Sequence, residues 1–175
     1  HLLSKNFKFK GESKYYLSIK SNNIRTEIIG INNVRDYCKI NNLPLEYHND
    51  GYNFTIKKPY SFELNSDIRP TINYDDFNFR ISYSIEKNLS PDSDEVQELL
   101  GTWSNTKKFY RLINRYTLIH DELPVIIDLS IVKESQKEIS QKESLDIKAS
   151  NIFQKNEKYE IEIEVDNKKI NEVLS

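Results

Sequence analysis

The chain has 175 residues, enough for one domain whose core needs neither disulfides nor structural metals. Its 25 lysines and arginines stand against 27 acidic residues, a net charge of −2 that excludes a globally basic nucleic-acid footprint, so an anionic ligand must meet a local cluster. Cys38 is the only cysteine, which excludes an internal disulfide or a cysteine zinc site and fits a reducing compartment, and no apolar run approaches the roughly 20 residues of a membrane span.

In chain order, polar residues alternate with aromatic and β-branched ones at the period of half-buried antiparallel strands. Strands are predicted at Asn6 to Lys10, Lys14 to Lys20, Ile24 to Ile29, Tyr52 to Lys57, Phe77 to Glu86, Lys108 to His120, Val125 to Val132 and Tyr159 to Val165. Helical spacing breaks the pattern at Ile31 to Ile40 and at Pro91 to Leu100, where Val96, Leu99 and Leu100 share a face, with Gly101 as the stop. Asn49-Asp50-Gly51 reads as a turn, and the stretch from Glu134 to Lys148 as an exposed loop. Trp103 is expected as a core plug, and the scattered His1, His48 and His120 as no metal ligands. No signal peptide is expected, and a chain that opens on His1 and lacks methionine reads as an excerpt of a longer polypeptide: one domain, residues 1–175.

The most informative run is Tyr159-Glu160-Ile161-Glu162-Ile163-Glu164-Val165. Strict alternation puts Glu160, Glu162 and Glu164 on one face and the apolar residues on the other. Carboxylates two residues apart lie roughly 7 Å from each other, so three in a row need positive company. Magnesium takes one or two carboxylates beside water and phosphate oxygens, which leaves the third to position a cation or a water. An ordinary solvent-facing strand gives the same pattern.

Positive company is available on other strands. Arg80 lies on one face with Asn78, Ser82, Ser84 and Glu86, and Arg111, Ile113, Arg115 and Thr117 share a face of the strand at 108–120. Guanidinium groups match phosphate oxygens with a fork of donors. Asp128 and Ser130 share a face of an otherwise apolar strand, where the carboxylate is expected to orient an arginine or lysine. Lys133 falls on the opposite parity, and reaches the same place only through a bulge or the strand end.

In their order, Phe79-Arg80-Ile81-Ser82, Arg111 through Thr117, Ile127 through Lys133 and Tyr159 to Val165 resemble the triphosphate tunnel metalloenzymes, most of all the viral branch of mRNA capping enzymes. Asn23 to Ile28 and Ile31 to Lys39 extend the resemblance to roughly residues 23–166. It implies an eight-stranded antiparallel β-barrel with covering helices that removes the γ-phosphate from the 5′-triphosphate end of nascent RNA, the first step of cap formation, using Mg2+ or Mn2+. By position it makes Glu160, Glu162 and Glu164 metal ligands. Arg80, Arg111, Arg115 and Lys133 become phosphate-gripping residues with Asp128 in support, and Glu162 with Arg80, Arg111 and Arg115 the catalytic set. The partners implied are an RNA end and guanylyltransferase and methyltransferase domains or subunits, with no membrane, and the place a cytoplasmic one: a viral factory or virion, not a secreted protein.

Two departures stand beside the resemblance. The family's first glutamate strand has no match, since Phe7 to Lys10 carries no carboxylate, and Ile113 occupies the position where the family places a lysine. They leave open a catalytically inactive tunnel domain with a structural or partner-binding role. Tripolyphosphate or a nucleoside triphosphate as substrate is a further alternative, as is an unrelated β-rich binding domain. Glu162 and Arg115 enclosed side by side separate a lumen from a solvated face.

Overall fold

The computed structural model describes residues 2–43, 51–59, 71–135 and 144–174. In chain order they form β1 (Phe7–Phe9), β2 (Lys14–Ser21), β3 (Ile24–Ile29), α1 (Ile31–Ile40), β4 (Tyr52–Pro59), β5 (Thr71–Tyr74), β6 (Phe79–Ser82), β7 (Ser84–Leu89), α2 (Asp94–Gly101), β8 (Phe109–His120), β9 (Val125–Glu134), β10 (Lys158–Val165) and α3 (Asn167–Leu174). The main sheet is antiparallel in the order β10-β9-β8-β2-β3-β4-β7, and β1 extends the edge of β8 next to β2. It curls into a half-barrel, the mainly β architecture expected from the sequence; among the described residues β7 and β10 are its unpaired margins.

Asn22 adopts φ 53° and closes a two-residue turn between β2 and β3, which fixes Ser21 opposite Ile24 and thereby the register of the whole centre of the sheet. Because side chains alternate, that register sends Leu17, Ile19, Ile28, Tyr110 and Leu112 to the convex side. There Val34 and Tyr37 of α1, Val96 and Leu99 of α2, Trp103, Ile147 and Ile152 cover them. Trp103 is a core plug as expected, edge-on to Tyr37, with the buried Lys108 ammonium 5.0 Å from its ring centre. Lys108 satisfies that burial by donating to the carbonyls of Thr106 and Leu145 at 2.8 and 3.0 Å.

Several expectations need correction. The segment Phe77 to Glu86 is not one strand: Asp75–Phe77 is a 3-10 turn, Asn78 turns left-handed at φ 51°, and among the described residues β6 pairs with β5 in a separate exposed hairpin. The second helix starts at Asp94 behind an extended Ser93, three residues later than Pro91. The stretch from Glu134 to Lys148 is not wholly an exposed loop. Its residues 136–143 lie outside the described ones, but Ser144 exchanges backbone hydrogen bonds with Lys108 and Ile147 is fully buried. Of the Asn49-Asp50-Gly51 turn only Gly51 is described. On β10 the apolar residues Tyr159, Ile161, Ile163 and Val165 are exposed on the convex side.

Candidate functional site in the concave face

The same alternation that buries the convex side lines the concave side with polar groups. Across it run Lys14, Tyr16, Ser18 and Lys20 of β2, Arg25 and Glu27 of β3, Asn53 and Lys57 of β4, and Glu86 of β7. From the other flank come Arg111, Ile113, Arg115 and Thr117 of β8, Asp128, Ser130 and Glu134 of β9, and the three glutamates of β10.

Arg115 is the hub. Its guanidinium donates to Ser130 Oγ at 3.1 Å, Asp128 Oδ2 at 3.0 Å and Glu162 Oε2 at 2.6 Å, while the Tyr16 ring centre lies 5.9 Å away. Burial opposes its charge, but Tyr16, Glu162, Asp128 and Glu27 around it more than offset this and raise its pKa. Asp128 is nearly buried and accepts a second hydrogen bond from Thr117 Oγ1 at 2.6 Å, so it orients an arginine as expected. Tyr16 shares the enclosure, and burial above all pushes its phenol up to about 12. A second set repeats the pattern: Arg111 donates to Glu160 at 2.5 Å and lies 3.8 Å from Glu134, which also pairs with Lys158.

Four carboxylates and three cations are thus held in ion pairs on β8, β9 and β10. Glu164 is the exception. It forms no ion pair among the described residues, and partial burial, then Glu162 and Asp128, with Glu86 from the far margin, raise its pKa. A cation beside Glu164 would relieve that repulsion. Glu162 keeps 41% side-chain exposure against 23% for Arg115, because it lies at the margin where β10 has no neighbour among the described residues. The two are side by side, in a trough open along one flank.

Four other residues complete the comparison between the sequence and the structure. Arg80 lies exposed on the separate hairpin and forms no ion pair with this network. Lys133 stays on the convex side, where it contacts the Phe153 carbonyl and approaches Glu157 at 3.9 Å. Ile113 is buried with Tyr16 and Val132, and with Ile29 makes an apolar row across the trough floor between Arg111 and Arg115. Glu27 was missed. It sits half-buried near Arg115 and Arg25 and is hydrogen-bonded to Asn53, and burial raises its carboxyl. The alternation of Arg25 with Glu27 was its signal.

The fold is similar to that of the Mimivirus capping enzyme triphosphatase, solved in a monoclinic crystal, with a TM-score of 0.55 and 16% sequence identity over 97% of this chain and 72% of that one. No protein-family model and no curated protein matches the chain. The likeness establishes the tunnel-type fold that the sequence resemblance implied. Among the described residues no helix is long and apolar enough to cross a membrane.

Proposed function

We propose that this chain forms a tunnel-type triphosphatase domain that takes the 5′-triphosphate end of RNA into its concave face and removes the γ-phosphate with Mg2+ or Mn2+. One observation carries the reading: arginines of β8 and glutamates of β10 meet on one face of a curled antiparallel sheet, with Arg115 against Glu162 at 2.6 Å and Arg111 against Glu160 at 2.5 Å. The same fold in a viral capping enzyme triphosphatase supports it.

Among the described residues no three metal-ligating side chains cluster, so a complete protein cage for an ion is not formed by them. A magnesium-type site needs only one or two carboxylates, and Glu164, its pKa raised by partial burial and then by its acidic neighbours, with Glu162 beside it fits that smaller requirement. When bound, such an ion supplies neutralisation of phosphate charge. The chain's own residues do the rest. Arg111 and Arg115 stabilise charge on the phosphate oxygens, Asp128, itself held by Thr117, keeps Arg115 in place, and a β10 carboxylate orients the attacking water. The RNA would then pass to guanylyltransferase and methyltransferase domains or subunits.

A catalytically silent tunnel domain is the second reading. It is favoured by the buried row of Ile29, Tyr16, Ile113 and Val132 between the two arginines, since a polyphosphate laid from one arginine to the other would cross apolar surface. Phosphate release from triphosphate-ended RNA separates the two. The triphosphatase reading expects metal-dependent release that Glu162→Ala abolishes. Release that persists at full rate in that variant refutes it, and no release from the intact protein with either metal establishes the silent domain.

A further inference from the structure

The convex side carries an apolar groove that the trough chemistry does not use. One wall is α1, where Ile31, Arg35, Cys38 and Lys39 recur at one-turn spacing and so form a single stripe. Phe153 of the 3-10 turn Ile152–Gln154 forms the other wall, with Tyr15 of β2 between them. The hollow has a volume of about 360 Å³. Ile31 and Phe153 are half-exposed, so it is an open groove that suits a protruding side chain. A small ligand needs most of its surface enclosed. Arg35 stands at the rim with no ion pair among the described residues, whereas Lys39 is held by Asp36 at 2.7 Å.

The complementary chemistry projects from the β5–β6 hairpin. Every residue of both strands is exposed. A lone two-stranded hairpin is at best marginally stable in water, so this one gains from any surface that covers its tip. That tip reads Tyr74-Asp75-Asp76-Phe77. Phe77 is 76% exposed and leans on Phe79 at 6.4 Å, which in turn stacks on Tyr74 at 4.6 Å and 16°. Asp75 and Asp76 are exposed and form no ion pair among the described residues. One surface thus offers an unfilled apolar hollow beside an unpaired guanidinium. The other offers a propped aromatic ring beside two unpaired carboxylates.

We infer that the hairpin tip of one copy of this chain docks in the α1 groove of a second copy, with Phe77 against Tyr15, Ile31 and Phe153 and a tip carboxylate on Arg35. The ring is the anchor, because burying an aromatic side chain in a hollow contributes most of the affinity of such a contact. The carboxylate and guanidinium meet at an exposed rim, where they set orientation more than strength. Tips exchanged in both directions close a two-fold dimer, and a one-way contact propagates a chain of copies. Because the groove is on the convex side, docking there does not use the trough.

Sedimentation velocity of the intact protein over a range of concentrations tests this. The parent should grow beyond the monomer as concentration rises. Phe77→Ser should move that growth to at least about tenfold higher concentration. Arg35→Glu should weaken it as well, by setting like charges against each other, and adding Asp75→Arg and Asp76→Arg to that variant should restore association, a rescue that a merely structural role for Arg35 would not produce. Cys38 lines the groove, so its alkylation should slow as copies of the parent associate and keep one rate at all concentrations in Phe77→Ser. These side chains are exposed, and thermal melting checks that the variants stay folded. A monomer at every concentration overturns the inference. So does association that Phe77→Ser and Arg35→Glu leave unchanged, since the copies would then meet through another surface.

Discussion

The two flanks of the concave face handle charge in opposite ways. On β8, β9 and β10 every arginine is clamped by carboxylates, one of them nearly buried; on β3, β4 and β7 two cations, Arg25 and Lys57, share one exposed glutamate, Glu86, through long contacts. Removing a cation from the first leaves buried negative charge uncompensated, while removing one from the second exposes nothing to a dry environment. The first flank holds the trough together, and the second is free to exchange partners. A face built that way can stay folded while its charge contacts turn over.

Stability measurements can break this contrast. Arg115→Ala strips Asp128 and Glu162 of their cation and should cost about 2–4 kcal/mol in urea unfolding, the largest effect expected in the trough. An unchanged midpoint would mean that the clamp is not structural. Arg111→Gln, on a pair that is less buried, should cost about 1–2 kcal/mol.

Glu27→Gln works in the other direction. Burial raises the Glu27 carboxyl, so the folded protein holds that proton more tightly than the unfolded chain does. The group therefore costs no stability in acid, begins to cost it as pH rises from the ordinary carboxylate range, and carries the full penalty above its raised value. The variant should melt higher than the parent at about pH 7 and equally near pH 3, and a gain that does not depend on pH would contradict the assignment. Smallest of all, Arg25→Gln should change unfolding by no more than about 0.5 kcal/mol, because its partner is exposed. A cost equal to that of Arg115→Ala would erase the difference between the flanks.

Much of this was legible from residue order. The parity of Glu160 and Glu162, of Arg111 and Arg115, and of Asp128 and Ser130 placed them on one face because a strand has no freedom to do otherwise. The contacts between those strands were not legible, since register depends on turns such as that at Asn22. Asn78 is of the type that, after glycine, best tolerates a left-handed backbone, and it broke a segment that hydropathy alone made continuous. Ile113 read as a missing cation, but only the neighbours Tyr16 and Val132 explain it as one member of an apolar row. The bare outer face of β10 was equally hidden, because alternation says that a face is apolar and not whether anything covers it.

An NMR titration of the protein with tripolyphosphate addresses the trough itself. Resonances of Ser18, Arg25, Glu27, Arg111 and Glu162 should move together with one affinity, while those of Tyr37, Trp103 and Ile147 on the covered convex side stay still. Shifts confined to the convex side, or none at saturating ligand, would show that the concave face is not where phosphate is held.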